Sequence, residues 1–159
     1  MSVIKDKEYV IGCDRAGVEL KRIIKDLLDK EGVEYEDVGV DSEDISIVYP
    51  KIAKRVVDQI KKSDYEKEGI LICGTGIGMA ISANKFSGIY AARCHDCYSA
   101  ERARLSNDTN VITMGSRVIG SVLAQKVVQE WLSLEFQSTE RSMPKINKIK
   151  SYEKENFTK

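Results

Sequence analysis

The stretch GILICGTGIGMAISANK, residues 69–85, decides the fold. Its opening residues, GILIC, are apolar throughout, which suits a central parallel strand covered on both faces; a strand with one face in water would alternate. Gly74, Gly76 and Gly78 follow at once, and a helix then runs toward Lys85. Upstream, 9–14 (YVIGCD) is a short β-rich run ending in turn chemistry. The helix it feeds, 18–31, places Val18, Ile23, Ile24, Leu27 and Leu28 near one face. The alternation recurs with a strand at 33–39 and a helix at 50–61, which has Pro50 in its first turn and Ile52, Val56, Val57 and Ile60 inward. Downstream, strands at 89–94 and 110–115 flank a helix at 98–105, and 120–134 carries Val122, Leu123, Val127, Val128, Trp131 and Leu132 at helical spacing. Five such units predict a Rossmann-like α/β fold, an open five-stranded parallel sheet with helices on both faces. The chain reads as one domain, with its core at about 9–134. The tail, 138–159, is polar and basic, with Ile146, Ile149, Tyr152 and Phe157 as its few apolar points. It is too poor in apolar area to fold alone, so an extended helical tail docks on this core or on a partner subunit, or else frays.

The 159 residues hold 25 Lys and Arg against 25 Asp and Glu, a net charge of zero, which disfavours nucleic-acid binding by bulk charge. The 42% hydrophobic share with only 2 Pro and 11 Gly belongs to a folded chain and excludes a disordered or collagen-like one. No apolar run approaches the roughly 18 to 20 residues that cross a bilayer, and MSVIKDKEYVIG does not resemble a signal peptide. The 4 Cys, at 13, 73, 94 and 97, are not needed as a disulfide scaffold in a chain of this size. Reduced thiols in a cytoplasmic protein are expected.

Ligands of an open α/β sheet bind beyond the carboxyl ends of its strands. The residues there are Asp14, Arg15, Cys73 to Gly78, Cys94 to Cys97, Ser116 and Arg117. Glycines between a buried strand and a helix start let backbone N–H groups point at an oxyanion or phosphate. The loop is not a dinucleotide fingerprint, which would need glycine at Met79, and it lacks the Lys-Ser/Thr pair of a P-loop. It does not close on the arginine of a cysteine phosphatase either. Glycines that merely turn a strand into a helix are the plainer alternative. Cys73, at the strand tip beside the loop, is placed to act as a base or nucleophile, with Thr75 able to relay a proton or hold a substrate oxygen. A strand cysteine on its own is more commonly a small buried hydrophobe. Cys94-His95-Asp96-Cys97 has two thiols and the only histidine, but no second ligand pair to close a structural zinc site, so no metal or other cofactor is expected.

The string at 69–85, followed by GIYAARCHDCYSAERARLSNDTNVITMGSRVIG, resembles the ribose-5-phosphate isomerase type B family, which includes the galactose-6-phosphate isomerase subunits. The likeness takes in GCDRAG with Lys21, Asp37-Val38-Gly39, Tyr49-Pro50 and the Trp131-Leu132 helix, and covers roughly Tyr9 to Ile149. It implies a metal-free aldose–ketose isomerisation of a small sugar phosphate, as in the pentose phosphate pathway. It also implies a homodimer, or a tetramer, with active sites shared between subunits. Cys73 matches the base that moves the proton between C1 and C2, and Thr75 the hydroxyl near O1 and O2. The amides of Gly74, Gly76, Ile77 and Gly78 match an anion hole for the enediolate. Asp14, Tyr49 and Asn107 match residues that contact the sugar, and Arg117, Arg141 and Lys145 match the phosphate-binding cations.

Two departures stand out. Arg15 replaces a histidine after the first-strand aspartate, at a substrate-facing position, and Ser106 replaces the histidine assigned to sugar-ring opening. Either His95 supplies that acid, or water does, or the substrate has no ring to open. A tetrose 4-phosphate cannot close a five-membered ring, because its O4 is esterified. The leading expectation is interconversion of ribose 5-phosphate and ribulose 5-phosphate through a cis-enediolate. The alternatives are an erythrose/erythrulose 4-phosphate isomerase and a non-catalytic subunit that binds a phosphometabolite.

Overall fold

A computed structural model describes residues 7–157. Strands β1 (Tyr9–Cys13), β2 (Tyr35–Asp37), β3 (Glu68–Cys73), β4 (Ala91–Arg93) and β5 (Val111–Gly115) form one sheet in the order β2-β1-β3-β5-β4. Every neighbouring pair is parallel. β1, β3 and β5 lie inside the sheet and are buried at every position, as the continuous apolar reading requires. The edge strands are only three residues each, shorter than 33–39 and 89–94 predict. Edges present unpaired backbone groups, and short edges limit that exposure. At β4 the Asn84 side chain deals with the remainder: its Nδ2 donates to Ala91 O at 2.9 Å and its Oδ1 accepts from Ala91 N at 2.8 Å, as a neighbouring strand would.

Helix α1 (Val18–Glu31) follows a 3-10 turn at Arg15–Gly17 and buries Leu20, Ile24, Leu27 and Leu28, leaving Val18 and Ile23 half-buried. α2 (Tyr49–Lys62) buries Ile52, Val56, Val57 and Ile60, as its spacing predicts. α3 (Ile77–Ala83) stops short of Lys85, and α4 (Cys97–Leu105) precedes β5. α5 (Ser121–Leu132) departs from the expected face. Its core stripe is Ala124, Val127, Val128, Trp131 and Leu132, while Val122 and Leu123 point outward. The stripe runs back from Val128 to Ala124 at i−4, and Val122 falls on the opposite side of the helix.

The tail docks on its own core. α6 (Met143–Phe157) begins behind a reciprocal cap in which Thr139 N donates to Ser142 Oγ and Ser142 N to Thr139 Oγ1, both at 3.0 Å. Ile146 is buried, and Glu153 accepts from Gly88 N at 2.7 Å and from Tyr90 Oη at 2.6 Å.

A polar knot closes the amino end of the sheet. Glu68, paired with Tyr9 across β1 and β3, forms a buried ion pair with Arg104 of α4. Arg104 also donates to Trp131 O at 2.9 Å and Thr109 O at 2.7 Å, and stacks over the Trp131 ring at 3.6 Å. Breaking a buried pair strands its partner's charge at a cost of about 3 to 5 kcal/mol. Glu68→Leu is therefore expected to lower unfolding free energy by about that amount in denaturant titrations, with an unchanged slope. A loss below about 1 kcal/mol would place the pair among weak surface contacts.

Candidate active site

Strand order reverses direction between β1 and β3, so their carboxyl ends part and leave a crevice. A cleft of about 580 Å³ opens there, lined by Asp14, Arg15, Tyr49, Cys73, Gly74, Thr75, Ile77, Gly78 and Arg117 among others. Residues from four separate stretches of sequence thus meet around the tip of β3. Cys73 is 4% exposed, and its Sγ accepts a hydrogen bond from Gly76 N at 3.1 Å, which fixes the direction of the sulfur. Asp14 accepts from Ala16 N at 3.0 Å, capping the short turn after β1. Arg117 lies against Gly74, with its guanidinium 3.5 Å from where a Cβ would stand.

The loop's four consecutive carbonyls each accept a hydrogen bond from the β5 or β4 side. Ser116 N donates to Cys73 O at 2.8 Å and Arg117 N to Gly74 O at 3.0 Å. Arg93 Nε donates to Thr75 O at 2.7 Å, and Thr113 Oγ1 to Gly76 O at 2.8 Å. Gly76 has φ of +74°, a conformation that L side chains rarely adopt, and this reversal carries the chain into α3. On the other side of the loop, Gly76 N serves the thiol and Ile77 N donates to Thr75 Oγ1 at 3.3 Å. Arg93 and Thr113 are parts of this arrangement that the sequence reading missed. Their only signal was a polar residue closing β4 and another in the middle of β5.

Asn107, Arg141 and Lys145 are not brought to this cleft. They line a second cavity of about 450 Å³ with Tyr98, Arg102, Ser106, Gln137, Thr139 and Ser142. Arg102 NH1 donates to Ser106 Oγ at 3.2 Å, adding a cation that the sequence reading did not single out.

His95 stands apart from both sets of lining residues. Its Nε2 accepts from Gly115 N at 2.8 Å, so that nitrogen is engaged with backbone and carries no proton to donate. The resemblance left His95 open as that acid; the structure places it at the end of β5, outside the lining of both cavities. Burial, reinforced by the Arg93 charge and opposed by Asp96, holds the imidazole below its ordinary value and hence neutral at pH 7. Among the described residues no three His, Cys, Asp or Glu side chains converge as metal ligands would. Cys94 is buried, and Asp96 caps α4 by accepting from Ser99 N at 2.7 Å.

The doubly wound sheet, with a thiol and a glycine loop at its switch point, defines a small-molecule enzyme of the Rossmann-like class. The Ribose/Galactose Isomerase family matches residues 9–149, and the chain belongs to it. It is 47% identical over 149 residues to ribose-5-P isomerase B of Listeria innocua, covering 94% of this chain and 99% of that one. It is 46% identical over 143 residues to D-erythrulose-4-phosphate isomerase of Pectobacterium atrosepticum, covering 90% and 93%. The structure of ribose-5-phosphate isomerase B from Mycoplasma genitalium with bound ribulose-5-phosphate superposes with a TM-score of 0.89 at 34% identity, covering 96% of this chain and 99% of that one. Among the described residues no helix is long and apolar enough to cross a membrane.

Burial pushes the Cys13 thiol up to about 12 and the Cys94 thiol up to about 11, so neither supplies thiolate near neutrality. Iodoacetamide at pH 7.5 is expected to modify Cys73, which opens into the cleft, and half-buried Cys97. Peptide mass mapping checks this, and early modification at Cys13 or Cys94 would contradict it.

Proposed function

We propose that the chain interconverts ribose 5-phosphate and ribulose 5-phosphate, without a metal, through a cis-enediolate. The supporting observation is the Cys73 sulfur in the cleft, fixed by the Gly76 amide of the glycine loop, with the Arg117 guanidinium beside Gly74. Moving a carbonyl from C1 to C2 needs one base and a fixed place for oxygen charge. The Cys73 thiolate takes the C2 proton of the open-chain aldose, and the C–H electrons become the C1–C2 double bond. The carbonyl π electrons move onto O1, where the loop amides and Thr75 receive the charge. A proton passes between O2 and O1 as the carbonyl forms at C2, and the Cys73 thiol returns its proton to C1. No atom is gained or lost.

Asp14, Arg15 and Tyr49 border the space the sugar would fill, and Arg117 is placed to hold an anion. A dianionic phosphate calls for more than one cation, and Arg141 and Lys145 lie in the other cavity. A second copy of the chain supplies them: each site takes its base from one subunit and Asn107, Arg141 and Lys145 from the other. Exposed Ile45, Val48, Ile77 and Ile81 are suited to covering by such a partner. A homodimer with shared sites is the simplest closed assembly that does this.

Assaying four-, five- and six-carbon aldose phosphates, with solvent-deuterium exchange at C2, tests the reading. Conversion of ribose 5-phosphate with exchange supports it. Faster turnover of erythrose 4-phosphate would reassign the substrate, and binding without exchange would indicate a non-catalytic subunit. Cys73→Ser is expected to fold and to bind phosphate, yet to lose turnover by about two orders of magnitude or more. Arg141→Ala should raise KM for the phosphorylated substrate by one to two orders of magnitude, from a charge-assisted contact of about 1.5 to 3 kcal/mol. Mixed, reassociated and assayed at substrate well below the raised KM, the two variants should regain about a quarter of the wild-type rate, because half of randomly paired dimers are mixed and each holds one intact site. No recovery after verified subunit exchange would place both residues in the same subunit's site.

A further inference from the structure

We infer that His95 is a positioning residue for the catalytic loop: its neutral imidazole takes the place of a missing rung in the sheet and so holds Gly115, against which the Thr75 backbone is packed. The inference rests on the isomerase reading for its kinetic readout, but the contact itself stands on geometry.

In the β4–β5 ladder, Cys94 N donates to Thr113 O at 3.0 Å. A parallel ladder would continue with Gly115 N donating to the carbonyl of residue 94, since each paired residue bonds one position back and one forward on its neighbour. β4 ends at Arg93, and the chain turns toward the Asp96 cap of α4. The His95 ring folds back instead, and Nε2 takes the Gly115 proton at 2.8 Å. At Gly115 the sheet meets the loop with no side chain between them. A Cβ there would stand 2.5 Å from the Cα and carbonyl carbon of Thr75, so the two backbones are in direct contact. The next two residues along, Ser116 and Arg117, donate to the carbonyls of Cys73 and Gly74. A displacement of Gly115 is thus passed to Thr75 by contact and to Cys73 and Gly74 through their carbonyls. Small misplacements of transition-state donors are costly, because their value depends on being fixed before charge develops.

Only the unprotonated ring can accept this bond. The charged groups acting on it are Arg93 from β4, which opposes protonation, and Asp96 at the start of α4, which favours it. Because burial and Arg93 depress the folded-state value, the contact is fully present above the ordinary imidazole value of about 6.5 and is lost as pH falls through the lower folded value.

The test compares His95→Leu with His95→Gln, whose Oε1 can reach the Nε2 position and accept without titrating. His95→Leu is expected to lower kcat about 10- to 100-fold, with KM for the aldose phosphate changed less than about twofold. His95→Gln should recover to within about threefold of wild type, and its kcat should persist at acid pH where the wild type declines. Hydrogen exchange at the Gly115 amide should quicken in the Leu variant and not in the Gln variant. Equal loss in both variants, wild-type turnover in the Leu variant, or an acid limb unchanged in the Gln variant would each overturn the inference. Should the Leu variant not fold, the acid limb and Gly115 exchange of the Gln variant decide the matter. If the wild type isomerises no sugar phosphate, the proposed function falls, and Gly115 exchange still judges the contact.

Discussion

The backbone of the glycine loop rests directly on the end of β5. Gly115 has no side chain to interpose, and Gly76, whose φ of +74° turns the chain away, would set any Cβ of its own 2.8 Å from Met114. From that contact the electrostatics of the cleft follow. Carbonyls of Cys73, Gly74, Thr75 and Gly76 each find a donor on the β5 and β4 side. A peptide plane that sends its oxygen one way sends the next N–H the other, so Gly76 N is left for the Cys73 sulfur and Ile77 N for the Thr75 hydroxyl. This orientation is set during folding, when buried carbonyls take their partners, so little reorganisation is left for the reaction itself.

The two ends of the sheet serve different purposes. At the amino end the polar groups are buried and spent on one another. Glu68, Arg104, Thr109 and Trp131 tie β3, α4, the loop before β5 and α5 into one body. At the side, Lys21 of α1 is buried and reaches Asp37 at 3.0 Å and Val40 O at 2.7 Å, securing edge strand β2. At the carboxyl end Asp14, Arg15, Tyr49 and Arg117 line the crevice. A domain rigid enough to hold a sulfur beside a row of amides needs the first set of contacts, and a ligand needs the second.

The family's members include enzymes named for ribose 5-phosphate and for erythrulose 4-phosphate at nearly equal identity to this chain. Most of the cleft is common to either chemistry, since both move one proton between adjacent carbons beside one carbonyl. In the second cavity Arg102 donates to Ser106 beside Asn107, Arg141 and Lys145. A guanidinium stays charged throughout the working range and cannot act as a proton donor to a sugar ring.

The sequence by itself determined the parallel sheet, the order of its units and the motif at the tip of β3. Unbroken apolar runs such as GILIC suit only a strand buried on both faces, and glycines after it mark where the backbone itself approaches a ligand. It also carried the family likeness, because that likeness lies in contiguous strings. Tertiary structure decided what periodicity and motif leave open. Helix α5 turned Val122 and Leu123 outward and Ala124 inward, a choice that apolar spacing alone leaves open. The tail found Gly88 and Tyr90 because a carboxylate at position 153 meets them only when α6 is laid down. His95 faced a backbone amide, not the cleft, because β4 stops one rung before its neighbour. Which side chains share a cavity depends on distances between elements remote in sequence, and residue spacing along the chain carries no measure of those distances.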